Sequence, residues 1–211
     1  MHALMEAAAT LTVGEAQTLY NLCMFPLFGQ GVEERGYLTL DSALSTGRLT
    51  ISELHSPAVP TLRVTNQLME AVLLLDGEEL VGAQQDRVAN LTILIPAGST
   101  IEIPVSCVEA GRWHMQSPSF RSSPRAHYAR GRALRHESVT YAMLGSRGAS
   151  RQSEQQTVWH DIVRKFRALN VDAPTMAQRD AFERYESTIR EYVDGLHPQD
   201  GQTGACFAID G

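Results

Sequence analysis

Residues 71–113 read AVLLLDGEELVGAQQDRVANLTILIPAGSTIEIPVSCVEAGRW. Short apolar runs rich in Leu, Ile and Val alternate here with Gly, Pro, Asn and Asp, which is the chemistry of strands and turns. Asp76-Gly77 is a tight-turn signal. Pro96-Ala97-Gly98 ends one strand and begins the return. Set into this frame are polar residues that a strand does not need: Glu78, Glu79, Gln84, Gln85, Arg87, Asn90, Cys107, Glu109 and Arg112, with Trp113 beside them. Polar groups gather in this way where a scaffold holds a site, so the block marks both the fold class and the place to look for function.

Outward from this block, strands are expected at 19–28, 48–54, 61–64, 71–75, 88–95 and 100–108. One short helix interrupts them, with Asp41 as its cap, Ala43 and Leu44 inside and Gly47 as the residue that follows its end. The character changes over 112–152. Residues 110–136 hold no Asp or Glu but carry Arg112, Arg121, Arg125, Arg130, Arg132 and Arg135. Ser117-Pro118 and Ser123-Pro124 break regular structure, so a loop followed by a helix near 125–134 is expected. The segment 145–153, GSRGASRQS, reads as a mobile linker. Two helices follow, each opened by a capping-box pair, Ser153/Gln156 and Thr175/Gln178. The first runs to Leu169 with Val158, Trp159, Ile162, Val163 and Phe166 on one stripe; the second carries Phe182, Tyr185, Ile189 and Tyr192 and ends at Gly195. The closing GACFAIDG (204–211) reads as a strand, pairing either with a missing return strand or inside a sheet of earlier strands. The expectation is a single α+β domain over 1–211. An antiparallel β-sandwich or distorted barrel occupies 15–110, with a C-terminal group of helices packed on it.

Composition narrows the function classes. The chain has 211 residues, 43% hydrophobic and 20% charged, which is enough for a globular core without a staple. The net charge of −6 argues against general nucleic-acid binding. Lys165 is the only lysine, so the other basic side chains are arginines, whose planar fork suits carboxylate and phosphate. Cys23, Cys107 and Cys206 are widely spaced, and neither they nor the histidines show metal-ligand spacing; no metal and no cofactor is expected. No secretory leader and no membrane-length apolar run is read, so a cytoplasmic location is expected.

The pieces NLCMFPLF (21–28), the Tyr37–Leu44 segment, LLLDGEELVGAQQDRVAN (73–90), IPAG (95–98), IPVSCVEAGRW (103–113), SEQQTVW (153–159) and GACFAIDG together resemble the ARG and rhodanese-phosphatase-superfamily-associated protein family, a prokaryotic group without an assigned activity. The resemblance spans nearly the whole chain. It implies, by association with ADP-ribosylglycohydrolase-type and phosphatase-type proteins, a link to ADP-ribose or nucleotide metabolism. The chain departs from the family pattern at Asp86, where an asparagine is expected, and the family sequence is expected to continue past Gly211 with a further strand.

Three functional expectations follow. In the first, Glu78, Gln85, Arg87, Asn90, Glu109 and Arg112 converge on a pocket for a nucleotide-derived anionic ligand, with Trp113 stacking a base or closing the core; side-chain amides and a guanidinium suit sugar hydroxyls and phosphates. In the second, the chain is a hydrolase of an ADP-ribose-type substrate, with Glu79 or Glu109 as general base. In the third, the polar block is internal scaffolding in a regulatory or structural domain. Its terminal strand then recruits a partner or a second copy of the chain by strand addition. Glu78 and Glu79 fall on opposite strand faces, so only one of them faces a given cleft. Cys107 reads as a buried strand residue, because a neighbouring carboxylate opposes thiolate formation. The Arg121–Arg135 run is read either as an anion contact or as an exposed helix.

Overall fold

The computed structural model describes residues 2–29, 36–55, 60–145 and 150–210. In chain order the elements are α1 (His2–Ala9), β1 (Thr12–Val13), β2 (Gln17–Leu19), β3 (Leu22–Phe28), β4 (Tyr37–Thr39), α2 (Leu40–Ser45), β5 (Leu49–Ser52), β6 (Thr61–Asn66), β7 (Ala71–Leu74), β8 (Glu78–Gly82), β9 (Arg87–Ala89), β10 (Ile93–Ile95), β11 (Thr100–Cys107), β12 (Phe120–Ala126), α3 (Ala129–Gly145), α4 (Gln155–Leu169), α5 (Gln178–Arg184), α6 (Glu186–Gly195) and β13 (Gln202–Ile209). They fall into two compact units, Met1–Arg35 with Tyr185–Gly211, and Gly36–Arg184.

In the first unit β3 is the central strand. β1 and β2 pair with it, and β13 runs antiparallel along it from Gln202↔Phe28 to Ile209↔Leu22. The closing segment therefore pairs inside a sheet of earlier strands, one of the two arrangements expected. The single strand expected over 19–28 is instead a hairpin, because Tyr20 takes a positive φ of 52° and turns the chain between Leu19 and Leu22. Helix α6 is tied to the same unit by Tyr192, whose hydroxyl donates to Asn21 Oδ1 at 2.9 Å.

The second unit is the α+β body. Its larger sheet has the order β12-β8-β9-β11-β6-β5, every neighbouring pair antiparallel. Its edge strands β12 and β5 touch, so the sheet curls towards a half-barrel. A smaller sheet, β10-β7-β4, shares one buried apolar cluster with the inner face of the larger one: Leu40, Ile51, Leu62, Val64, Val72, Leu74, Leu80, Ile95 and Ile103 all belong to it. The alternation in β6 and β7 sends every second side chain into this core. A second cluster, built from Val88, Val108, Val158, Ile162, Phe166 and Ala181, glues helices α4 and α5 to the outer face. Residues of β9 are thus buried on both faces.

Several boundaries differ from expectation for identifiable reasons. Asp76-Gly77 is a corner and not a hairpin, since β7 and β8 lie in different sheets; Gly77 supplies the positive φ of 81°. The run expected over 88–95 splits for the same reason, with β9 in the large sheet and β10 in the small one. Segment 120–126, expected as loop, is the edge strand β12. Pro124 is tolerated there because the pairing with β8 shifts register between Ser122 and Ala126. The single helix expected after Thr175 is two, α5 and α6, parted at Tyr185. Residues 146–149 of the expected linker lie outside the described residues.

Helix α3 is held by one carboxylate. Asp76 accepts from Arg132 Nε and His136 Nε2, both at 3.0 Å, and from the fully buried Arg135. Burial works against the Asp76 carboxylate, yet Arg135 and Arg132 outweigh it and hold its pKa below the usual range. Replacing Asp76 with Ala leaves the Arg135 charge buried and unpaired. The expected loss is roughly 3–5 kcal/mol, read by urea denaturation of the full chain; a loss within a few tenths of a kcal/mol would mean that Arg135 is solvated another way.

Candidate functional site

The antiparallel order of the large sheet brings several chain ends together. β5, β8 and β11 finish, and β9 and β12 begin, at the same end of the curled sheet. Glu53, Gln84, Gln85, Asp86, Arg87, Cys107, Glu109, Arg112 and Trp113 therefore meet at one mouth. Such mouths are common binding positions in barrel-like folds.

Arg112 organises the inner part of this end. Its side chain is 2% exposed. Nε donates to Glu109 Oε2 at 2.9 Å, Nη2 to Asp86 Oδ1 at 3.1 Å, and Nη1 to the carbonyls of Ala83 at 2.8 Å and His114 at 3.1 Å. Glu109 Oε2 also accepts the Asp86 backbone N–H at 3.1 Å, and Asp86 Oδ1 accepts that of Gly82 at 3.1 Å. Arg179 completes the set, 3.3 Å from Asp86 Oδ2 and 3.8 Å from Glu109 Oε1. Two carboxylates thus face two guanidiniums. Burial works to raise Glu109, but the Arg112 contacts outweigh it and hold its pKa below the usual range. Asp86 goes the other way, pushed up first by burial and then by the Glu109 charge.

The outer part is less complete. Arg87 is fully buried at the start of β9, on the strand face that carries Ala89 into the inner core. Its Nη1 donates to Gln85 Oε1 at 3.0 Å, and Gln85 Nε2 in turn donates to the Glu109 carbonyl at 2.8 Å. Arg87 Nε and Nη2 have no hydrogen-bond partner among the described residues. Glu53 Oε1 lies 3.7 Å from Nη2, close enough for attraction but too long for a hydrogen bond. Neither Glu53 oxygen, nor Gln84 Oε1, has a well-formed hydrogen bond among the described residues. Burial raises the Glu53 pKa, with the Arg87 charge pulling it back. Trp113 lies above this group, its ring centroid 5.9 Å from the Arg87 guanidinium carbon, and is 53% exposed. Cys107 is buried beneath, its thiol donating to Gln85 Oε1 at 3.1 Å, and burial pushes that thiol up, away from nucleophilic use.

The remaining expected residues stand elsewhere. Glu78 starts β8 at the far end of the sheet and caps the corner, its Oε2 accepting the Leu75 N–H at 2.9 Å. Asn90 is also at the far end. Its Oδ1 accepts from the Ser106 hydroxyl at 2.6 Å, and Ser106 also bonds Ser153 just before α4. Glu79 is fully buried on the opposite face, bonded by Gln178 Nε2 at 3.2 Å, and Gln178 Oε1 meets His127 Nδ1. Burial pushes the Glu79 pKa up. The arginine run is largely consumed internally, with Arg125 on Glu183, Arg130 on Asp161, and Arg132 and Arg135 on Asp76. Sequence reasoning passed over Glu53, Asp76, His127, Gln178 and Arg179. Gln178 was read as a helix cap, and that reading at least placed it beside Arg179 at the start of α5. Among the described residues no group of three or more His, Cys, Asp or Glu could hold a metal ion, and no helix is long and apolar enough to cross a membrane.

A curled antiparallel sheet with helices on one face and a polar-lined end defines an α+β domain without a recognised catalytic constellation. The chain belongs to the ARG and Rhodanese-Phosphatase-superfamily-associated Protein domain family, whose model matches residues 10–211. Comparison with curated proteins and with solved structures gives no match.

Burial lowers His127 to about 4, with the Arg135 charge working in the same direction. Its imidazole titrates near 6.5 in the unfolded chain. Between those values the unfolded chain binds a proton that the folded chain refuses. Stability is therefore full above about pH 6.5 and falls as the pH drops to about 4, by roughly 3 kcal/mol. His127→Asn keeps a donor for Gln178 and removes the titration. Urea denaturation across this range should give a flatter stability curve for His127→Asn than for the unaltered chain; parallel curves would rule out His127 as the source.

Proposed function

We propose that this domain binds a nucleotide-derived ligand at the polar mouth of the curled sheet and holds it without performing chemistry on it. The observation that carries this reading is the pairing of a half-exposed Trp113 with the unpartnered Nε–Nη2 edge of Arg87 beneath it. An aromatic face beside a guanidinium fork suits a base and its polar edge. The link of the family to ADP-ribose or nucleotide metabolism by association points the same way. Both expected general bases are already engaged by hydrogen-bond partners, which favours binding over turnover. Glu79 is bonded to Gln178, and Glu109 is bonded to Arg112 and the Asp86 backbone; both are fully buried. A hydrolase built on either would have to release it from those partners first.

A second reading rests on the first unit. The outer edge of β13 has no partner strand among the described residues, and Phe207 and Ile209 on it are exposed. Unpaired edges of this kind accept a strand from another chain.

Thermal-shift assays of the full chain with ADP-ribose, NAD and mononucleotides, followed by product analysis, test the first reading. A selective shift without product is expected. Trp113→Ala should leave the ligand-free melting temperature nearly unchanged and weaken binding roughly tenfold or more, the scale of one lost base–aromatic stack. A flat panel, or a shift untouched by Trp113→Ala, counts against it, as does a product that accumulates.

A further inference from the structure

The unsatisfied groups at the mouth form a specific donor–acceptor pattern. On one side is the Nε–Nη2 edge of Arg87, two parallel donors, since Nη1 is already given to Gln85. On the other, in the outer part, are three acceptors, Glu53 Oε1 and Oε2 and Gln84 Oε1; the two further unbonded oxygens at this end, Asp86 Oδ2 and Glu109 Oε1, face Arg179. The Glu53 side chain is 8% exposed, so its oxygens are shielded from bulk water, with only the Gln84 backbone N–H and the Arg87 charge acting on them. A buried acceptor of this kind costs free energy until a donor reaches it. A phosphate does not complete the set, because it offers only acceptors and would face the Glu53 carboxylate. The complement is a flat edge carrying adjacent N–H donors next to acceptors.

We infer that the mouth reads a guanine base, a step that rests on the nucleotide-binding reading above and adds the identity of the base. Guanine places O6 and N7 side by side for a two-pronged arginine, the commonest specific contact to that base. Its N1–H and N2–H₂ lie along the neighbouring edge and match the acceptor pair of Glu53, leaving Gln84 Oε1 for the second N2 hydrogen. Adenine fails on both counts, since its N6 amino group would meet the Arg87 donors and its N1 would meet the Glu53 carboxylate. Trp113 supplies the stacking face.

The test is calorimetric titration of the full chain with GMP, IMP, XMP and AMP. GMP is expected to bind best. IMP, which lacks only the N2 amino group, should lose roughly tenfold, and AMP should lose more. Glu53→Gln exchanges one acceptor for a donor, so it should weaken GMP roughly tenfold and tighten XMP, whose O2 is an acceptor where guanine has a donor. The GMP against IMP comparison needs no variant, so it decides the matter even if Glu53→Gln folds poorly. Equal binding of all four would overturn the guanine assignment and keep the nucleotide-binding reading. AMP above GMP would do the same. Binding of none of them, with ADP-ribose and NAD also silent, would overturn both.

Discussion

The buried guanidinium of Arg112 is the contact on which the working end of this fold depends. It is attached to the loop after β8 through the Gly82–Ala83 carbonyls and Asp86, and to the end of β11 through Glu109. Those two segments carry every side chain at the mouth except Glu53, which follows β5. An uncompensated charge at such depth would be costly, and the lattice avoids this by balance. Asp86 and Glu109 oppose Arg112 and Arg179; the oxygens that meet Arg112 also accept backbone N–H groups, and the other two face the Arg179 charge. The opposite pKa directions of the two carboxylates record where that balance is tight. Glu109, with the closer arginine contacts, is stabilised as an anion, whereas Asp86 is strained by its neighbour.

Helix α5 is part of the same device. Ala177 bridges to the Glu109 backbone, Gln178 links the Val108 carbonyl, Glu79 and His127, and Arg179 reaches Asp86 and Glu109. Three consecutive residues thus stitch the helical layer to the outer face and the loop end of the strand pair β8–β9. Gln155 does similar work from α4. Its amide donates to the Cys107 carbonyl and accepts the Cys107 N–H, both at 2.8 Å, imitating a neighbouring strand where β6 no longer reaches. The polar residues at the starts of these helices are used on the sheet, which is why the capping boxes expected there do not form.

The strand-rich body and the helical C-terminal group were legible because apolar spacing and turn residues report burial and chain reversal directly. The sheet assignments were not, because a glycine corner looks the same whether the chain returns to its own sheet or crosses to another. Asp76-Gly77 and the 90–92 corner both cross. β12 was hidden by Pro124, whose cost vanishes only at an irregular sheet edge. At the site, spacing placed Gln85, Arg87, Glu109, Arg112 and Trp113 near one another, since β9 and β11 are paired neighbours. It separated neither Glu78 nor Asn90 from them, because the distance between the two ends of a strand is not visible in a polar cluster. Glu53 carried no signal at all. It comes from β5, two strands beyond β11 in the sheet, and only the curl of the sheet brings it to Arg87.

The same chemistry explains why arginine, and not lysine, stands at the decisive positions. Arg112 meets two carboxylates and three carbonyls in directions that a single ammonium could not span, and Arg135 reaches Asp76 from full burial. At Arg87 the fork does two jobs at once. Nη1 is fixed by Gln85, Gln85 is fixed by the Glu109 carbonyl, and Glu109 is fixed by Arg112. The free Nε–Nη2 edge is therefore held in one orientation by a run of hydrogen bonds that begins at the buried lattice. A donor pair aimed in advance loses little side-chain freedom when a ligand arrives, so the internal lattice and the unpartnered edge act together, the first lowering the entropic cost of using the second.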